Sequence, residues 1–196
     1  MGFNIALHDV EYLNQAAKNN RCDVTKLSFA AIGHLLDRYV LLNAGAALGR
    51  GCGPLIVARK GLDLSLLVKS KIAIPGMWTT AYLLLSLFME SPPDIVPMPF
   101  DQIMPSIQAG DYDYGVIIHE GRFTYQNYGV MCLMYLGQWW ESKTSLPIPL
   151  GGIAIRRDIA KKTALKVETA IRESIHFAHQ NPQEADAYIR THAQEM

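Results

Sequence analysis

Lys71-Ile72-Ala73-Ile74-Pro75-Gly76-Met77-Trp78-Thr79-Thr80-Ala81 changes character twice within a few residues. Residues 71–74 are apolar enough for a buried strand, Pro75-Gly76 turns the chain, and Thr79-Thr80 opens a helix from Ala81 to Glu90. A strand, a tight turn and a helix in succession form the repeating unit of α/β proteins. The unit also creates a chemical feature, because the first amides of a helix lack intrahelical acceptors and attract a carboxylate or phosphate. Thr79 and Thr80 add hydroxyl groups at that point. A threonine there also serves as a plain helix cap, and spacing alone leaves both roles open.

The same alternation extends in both directions. Upstream, Asp9 caps a helix carrying Val10, Leu13, Ala16 and Ala17, which Asn19-Asn20 ends. A strand around 22–27 follows, then a helix with Phe29, Ile32, Leu35 and Leu36, and an extended stretch at 39–42. Gly45, Gly49, Gly51 and Gly53 lead into a β-rich run at 54–58. Downstream, an extended run at 94–98 precedes a helix capped by Asp101, in which Pro105 fits only near the first turn. Apolar strands are expected at 114–119 and 130–136. Val167, Ala170, Ile171, Ser174, Ile175 and Ala178 mark one face of a long helix, which Asn181-Pro182 stops before starting another. Five such alternations predict sheets rich in parallel strands. The glycine-rich region 45–53 and the region 147–152 each punctuate strands and suggest paired crossings between two lobes. The expected lobes are residues 1–68 together with 152–196, and residues 69–151.

Composition narrows the function. The chain has 196 residues, 49% of them hydrophobic and 18% charged, which is enough to bury a core. Lys+Arg and Asp+Glu balance at 18 each, so nothing advertises nucleic acid or an anionic membrane as a partner. Specificity must therefore come from a site. Cys22, Cys52 and Cys132 are odd in number and widely spaced, as expected in a reducing compartment. The first nine residues lack a basic and then apolar signal pattern, and the most apolar run, 81–89, is about half of the ~20 residues a membrane span needs. A cytoplasmic protein without a membrane span is the expectation.

His119 closes an apolar strand, and ligands of open α/β sheets gather at strand carboxyl ends. An imidazole there can act as a general base, or it can be a hydrogen-bonded structural residue. Phe123 stands where the His-Glu-x-x-His zinc pattern needs its second histidine. Gly49-Arg50-Gly51-Cys52-Gly53 matches neither the P-loop nor the dinucleotide fingerprint. Lys26 and Ser28 can present an ammonium and a hydroxyl to an anion; the bland alternative is a solvated lysine and a helix-capping serine. Trp139 and Trp140 can stack a ring or simply pack, and His176 and His179 share a solvated helix face.

Taken in order, six stretches resemble the 1,4-dihydroxy-6-naphthoate synthase family: 23–28 (DVTKLS), 47–55 (ALGRGCGPL), 75–82 (PGMWTTAY), 117–125 (IIHEGRFTY), 136–141 (LGQWWE) and 146–152 (LPIPLGG). The resemblance covers essentially the whole chain. It implies an α/β, two-lobed fold like that of periplasmic solute-binding proteins (type II), with the ligand cleft between the lobes. It further implies cleavage of cyclic dehypoxanthinyl futalosine to 1,4-dihydroxy-6-naphthoate and dihydroxyacetone, a lyase step of menaquinone biosynthesis by the futalosine route. His119 is then the proton acceptor, Lys26, Leu27 and Ser28 line one side of the cleft, and the amides of Thr80 and Ala81 hold substrate oxygens on the other. Neither a metal nor an organic cofactor is implied. The same fold also serves non-catalytic solute-binding modules and the sister enzyme chorismate dehydratase. The family ordinarily begins with a further strand and a Pro-Cys-Pro-Asn-Asp-Thr loop and ends with a further helical segment. The chain therefore reads as shortened at both ends, and is expected to fold or work less well than a longer form.

Overall fold

Asp9 begins the first helix as its position predicts. Its carboxylate accepts the N–H groups of Glu11 at 2.8 Å and Tyr12 at 3.3 Å, filling two of the donors a helix start leaves open. Asp9→Ala is expected to cost about 1 kcal/mol, read as a lowered urea midpoint. In the computed structural model, which describes residues 2–192, the order that follows is regular. Helix α1 (Val10–Lys18) leads to β1 (Val24–Ser28), α2 (Phe29–His34), β2 (Tyr39–Leu41), β3 (Ala47–Gly49) and β4 (Leu55–Arg59). After a 3₁₀ segment come β5 (Lys71–Ile74), α3 (Thr80–Phe88), β6 (Asp94–Pro97), α4 (Phe100–Ala109), β7 (Tyr114–Ile117) and α5 (Gly121–Thr124). Strand β8 (Val130–Tyr135), α6 (Leu136–Thr144), β9 (Ile148–Arg156), α7 (Lys161–Gln180) and α8 (Pro182–His192) complete the described residues.

Two sheets form. In the first, β9 is central and pairs antiparallel with β1, β2 and β3. The second has the order β6-β5-β7-β4-β8; β5 runs parallel to β6 and β7, whereas β4 runs antiparallel to β7 and β8. The expected dominance of parallel pairing is thus corrected. Apolar runs report that a strand is buried on both faces but not which way it points. Here α3 covers one face through Ile56, Ile72, Ile74, Leu84, Leu85 and Val116. Helix α4 covers the other through Leu55, Val57, Ala73, Ile103, Ile107 and Ile117. Alternate residues of one strand enter opposite cores, so each strand reads as continuously apolar.

The expected lobe boundaries also move. β4 is hydrogen-bonded within the second sheet, so residues 55–59 join that sheet, and the first crossing lies between β3 and β4 rather than at residue 68. The boundary at 151 and 152 falls inside β9, whose Ile148 packs in the core of the second sheet while Ala154 and Ile155 pack in those of the first. Helix α4 starts at Phe100, so Asp101 stands in its first turn and does not cap it. Pro105 lies in the helix interior; Asp101 and Pro105 are both exposed, so the carbonyl that loses its helical partner faces water. Helix α7 buries only its first half, around Ala164, Val167 and Ile171, and Ile175 on the same predicted face is exposed. Among the described residues no helix is long and apolar enough to cross a membrane.

Candidate functional site

Because β6, β5 and β7 are neighbours and parallel, their carboxyl ends lie along one edge of the second sheet. That edge receives Met98–Phe100, the turn 75–79 with the start of α3, and His119. Antiparallel β4 begins at the same edge, where Leu55 pairs with Ile117, so the crossing from the first sheet arrives there too.

Gly76 makes the turn with φ near +145°, and a Cβ on it would overlap the Glu11 carboxyl group, so only glycine fits. Thr79 is the cap: its hydroxyl accepts the Tyr82 N–H at 3.2 Å and donates to the Gly76 carbonyl at 2.7 Å. The Thr80 hydroxyl donates to the Leu150 carbonyl of β9 at 3.0 Å. Both hydroxyls are thus committed within the protein. What this helix start has to offer a ligand is the backbone N–H groups of Thr80 and Ala81, which stand ahead of the first intrahelical bond.

Facing this turn is β1. Ser28 pairs with Gly151 of β9, next to the Leu150 carbonyl that holds Thr80, so β9 brings Ser28 and Thr80 together. Ser28 occupies the N-cap position of α2 without a capping hydrogen bond; its N–H donates instead to Asn14 Oδ1 at 3.1 Å. Lys26 is exposed and runs its stem past Gly151. Leu27, between them, has a side chain that is fully buried in the core of the first sheet.

His119 adopts φ of +54°, a left-handed conformation that non-glycine residues rarely take, as the chain turns from β7 towards α5. Its ring meets the edge of Phe100 with centroids 5.2 Å apart. The residue keeps solvent-exposed area, yet protein crowds around its ring. That desolvation, and secondarily the Lys26 ammonium, hold the imidazole below its ordinary value, while Glu120 and Asp9 pull the other way. A neutral, accessible imidazole at a strand end is a competent proton acceptor. Trp139 and Trp140 prove to pack, the first edge-on to Phe88 and the second in the second-sheet core with its indole N–H on the Pro147 carbonyl.

Two residues escaped the sequence reading. Asn14 on α1 bonds both to Ser28 and to the 76–78 turn, and Glu11, which accepts from Asn14, lies against Gly76 of that turn. The available signal was a polar Asn14 inside the apolar stripe of Val10, Leu13, Ala16 and Ala17.

The model of a family described as menaquinone biosynthesis matches residues 1–196. The 1,4-dihydroxy-6-naphthoate synthase of Thermus thermophilus is 46% identical over 192 residues, covering 97% of this chain and 69% of that protein. A crystal structure of a protein from Archaeoglobus fulgidus superposes with a TM-score of 0.90 at 41% identity, over 97% of this chain and 71% of the other. The ligand-binding component of an ABC-type import system from Staphylococcus aureus, solved with zinc bound, gives a TM-score of 0.60 at 16% identity, over 93% of this chain and 65% of the other. The last likeness places the fold, α/β with two sheet-bearing lobes, among the periplasmic-binding-protein-like folds. With the family model matched along its whole length, this chain belongs to the menaquinone biosynthesis family.

Proposed function

We propose that the chain is a carbon–carbon lyase that converts cyclic dehypoxanthinyl futalosine to 1,4-dihydroxy-6-naphthoate and dihydroxyacetone, acting in the cytoplasm with His119 as its base. The observation that carries the reading is the convergence of His119 and the start of α3 at one sheet edge, opposite Lys26 and Ser28. In this reading the neutral His119 takes a proton from a substrate hydroxyl as the carbon–carbon bond breaks. The Thr80 and Ala81 amides meet the oxygen on which negative charge develops, where fixed donors lower the barrier most. Lys26 keeps the base neutral and offers a cation beside it. The deciding experiment is to add cyclic dehypoxanthinyl futalosine to the purified chain and follow the naphthoate chromophore. Turnover supports the lyase; tight binding without turnover assigns the chain to the solute-binding modules instead.

The pH profile tests the base separately. A proton acceptor must be neutral, and the environment of His119 lowers its pKa below the ordinary 6.5, so kcat/KM should hold through that pH and fall only further down. Lys26→Met removes one cause of the lowering, leaving Glu120 and Asp9 to pull upward, so its acid limb should move to higher pH. A limb above 6.5 in the unaltered chain, or one unmoved by Lys26→Met, contradicts this account of the base.

A further inference from the structure

Asn14 is fully buried, although asparagine is a residue of surfaces. Its side chain spends every polar atom on the two walls of the cleft. The amide oxygen accepts the Ser28 N–H at 3.1 Å. The amide nitrogen lies 3.1 Å from Glu11 Oε2, 3.3 Å from Ser28 Oγ and 3.3 Å from the Trp78 carbonyl, so its two hydrogens are shared among three acceptors. Glu11, one turn earlier on α1, completes the grip: its carboxyl group lies against Gly76 of the same turn and is itself held by Gln15 at 2.8 Å. Burial pushes that carboxyl group above its ordinary range in spite of these donors.

The turn is therefore held at the Trp78 carbonyl and at Gly76 by a helix of the other lobe. The Trp78 indole is fixed as well, packed against the core of the first sheet, with the His34 ring 5.1 Å and the Lys18 ammonium 5.0 Å from its ring centroid. Two residues on, the chain reaches Thr80 and Ala81. No other described side chain is seen to bond both to Ser28 and to the turn that presents those amides.

We propose that Asn14 is a positioning residue, which sets the gap between Ser28 and the Thr80–Ala81 amides so that the cleft is organised before substrate enters. The inference rests on the proposed lyase reading and deepens it. A residue that served only to stabilise the fold would change how much protein is folded, not what each folded molecule does.

Asn14→Asp tests the difference, since it keeps the size and the acceptor for Ser28 but removes the amide donors. Among molecules that melt cooperatively, kcat for cyclic dehypoxanthinyl futalosine should fall by a factor on the order of 10², the scale of a displacement of about 1 Å in a catalytic constellation. KM should change much less. A lowered melting temperature with kcat and KM unchanged per folded molecule overturns the proposal. Should Asn14→Asp fail to fold, Glu11→Gln loosens the same turn from its other side; lowered kcat with normal melting supports the proposal, and unaltered kcat overturns it. If the unaltered chain shows no turnover at all, the lyase reading fails by itself. Calorimetric titration with the same compound then decides: weaker binding by Asn14→Asp or Glu11→Gln keeps the positioning role, and equal binding removes it.

Discussion

Replacing His119 by alanine is expected to cut turnover by a factor on the order of 10²–10⁴ and to leave the fold standing. The size follows from the role, since loss of a positioned general base removes proton transfer but spares the amides at the start of α3. The fold is expected to survive because His119 keeps solvent-exposed area at the sheet edge, where Phe100 lies against its ring. The backbone complicates an alanine test, because φ of +54° suits few residues. Asn is one of those that tolerate this region, so His119→Asn removes the base while keeping the chain's course. Both variants should lose naphthoate formation to a similar degree with urea midpoints close to the parent. Wild-type turnover in His119→Asn would remove this residue from the mechanism.

Gly137→Ala should destabilise the protein by about 3 kcal/mol, the upper end of what overpacking costs. Gly137 is the second residue of α6, and a Cβ there would overlap the carbonyl group of Cys52. Backbone is the obstacle, and backbone cannot rotate aside as a side chain can. The segment in question is the crossing from β3 to β4. It is further tied down by Gly51 N–H to Glu141 at 2.7 Å, by Arg122 to the Gly51 carbonyl at 2.9 Å, and by Arg50 to the Ser145 carbonyl at 3.0 Å. A shift there also moves β4 at the edge that carries His119, so activity should drop along with the urea midpoint. A change below about 0.5 kcal/mol, the scale of neutral surface substitutions, would show that the crossing relaxes freely.

How far the site was legible depended on whether the chemistry lay in one segment. The start of α3 and the strand-end position of His119 follow from local order alone: apolar run, turn, cap. Ser28 was legible as a hydroxyl after a strand, but its hydrogen bonding was not. The sequence allowed a helix cap, and in the structure the hydroxyl accepts from the Asn14 amide instead while the N–H donates to Asn14 Oδ1. Leu27 was legible as an apolar strand residue, and its side chain serves the core of the first sheet. Asn14 was missed because a single polar residue in an apolar stripe looks like a defect until its partners, 14 and 64 residues away, are known.

By itself the sequence determined the elements and their kind, since periods of two and of 3.6, caps and turns act within a few residues. It also determined where reactive groups stand on those elements. Only the tertiary structure decided strand direction, the placing of β4 in the second sheet and the joining of the lobes through β9. Those choices rest on hydrogen bonds between segments far apart in the chain, such as Leu55 with Ile117 and Ser28 with Gly151. An apolar strand buried on both faces satisfies its core equally well in either direction. The connections that fix its neighbours choose between the two, and with that choice they set the carboxyl ends of β5 and β7, which lead into the turn before α3 and into His119, along one sheet edge.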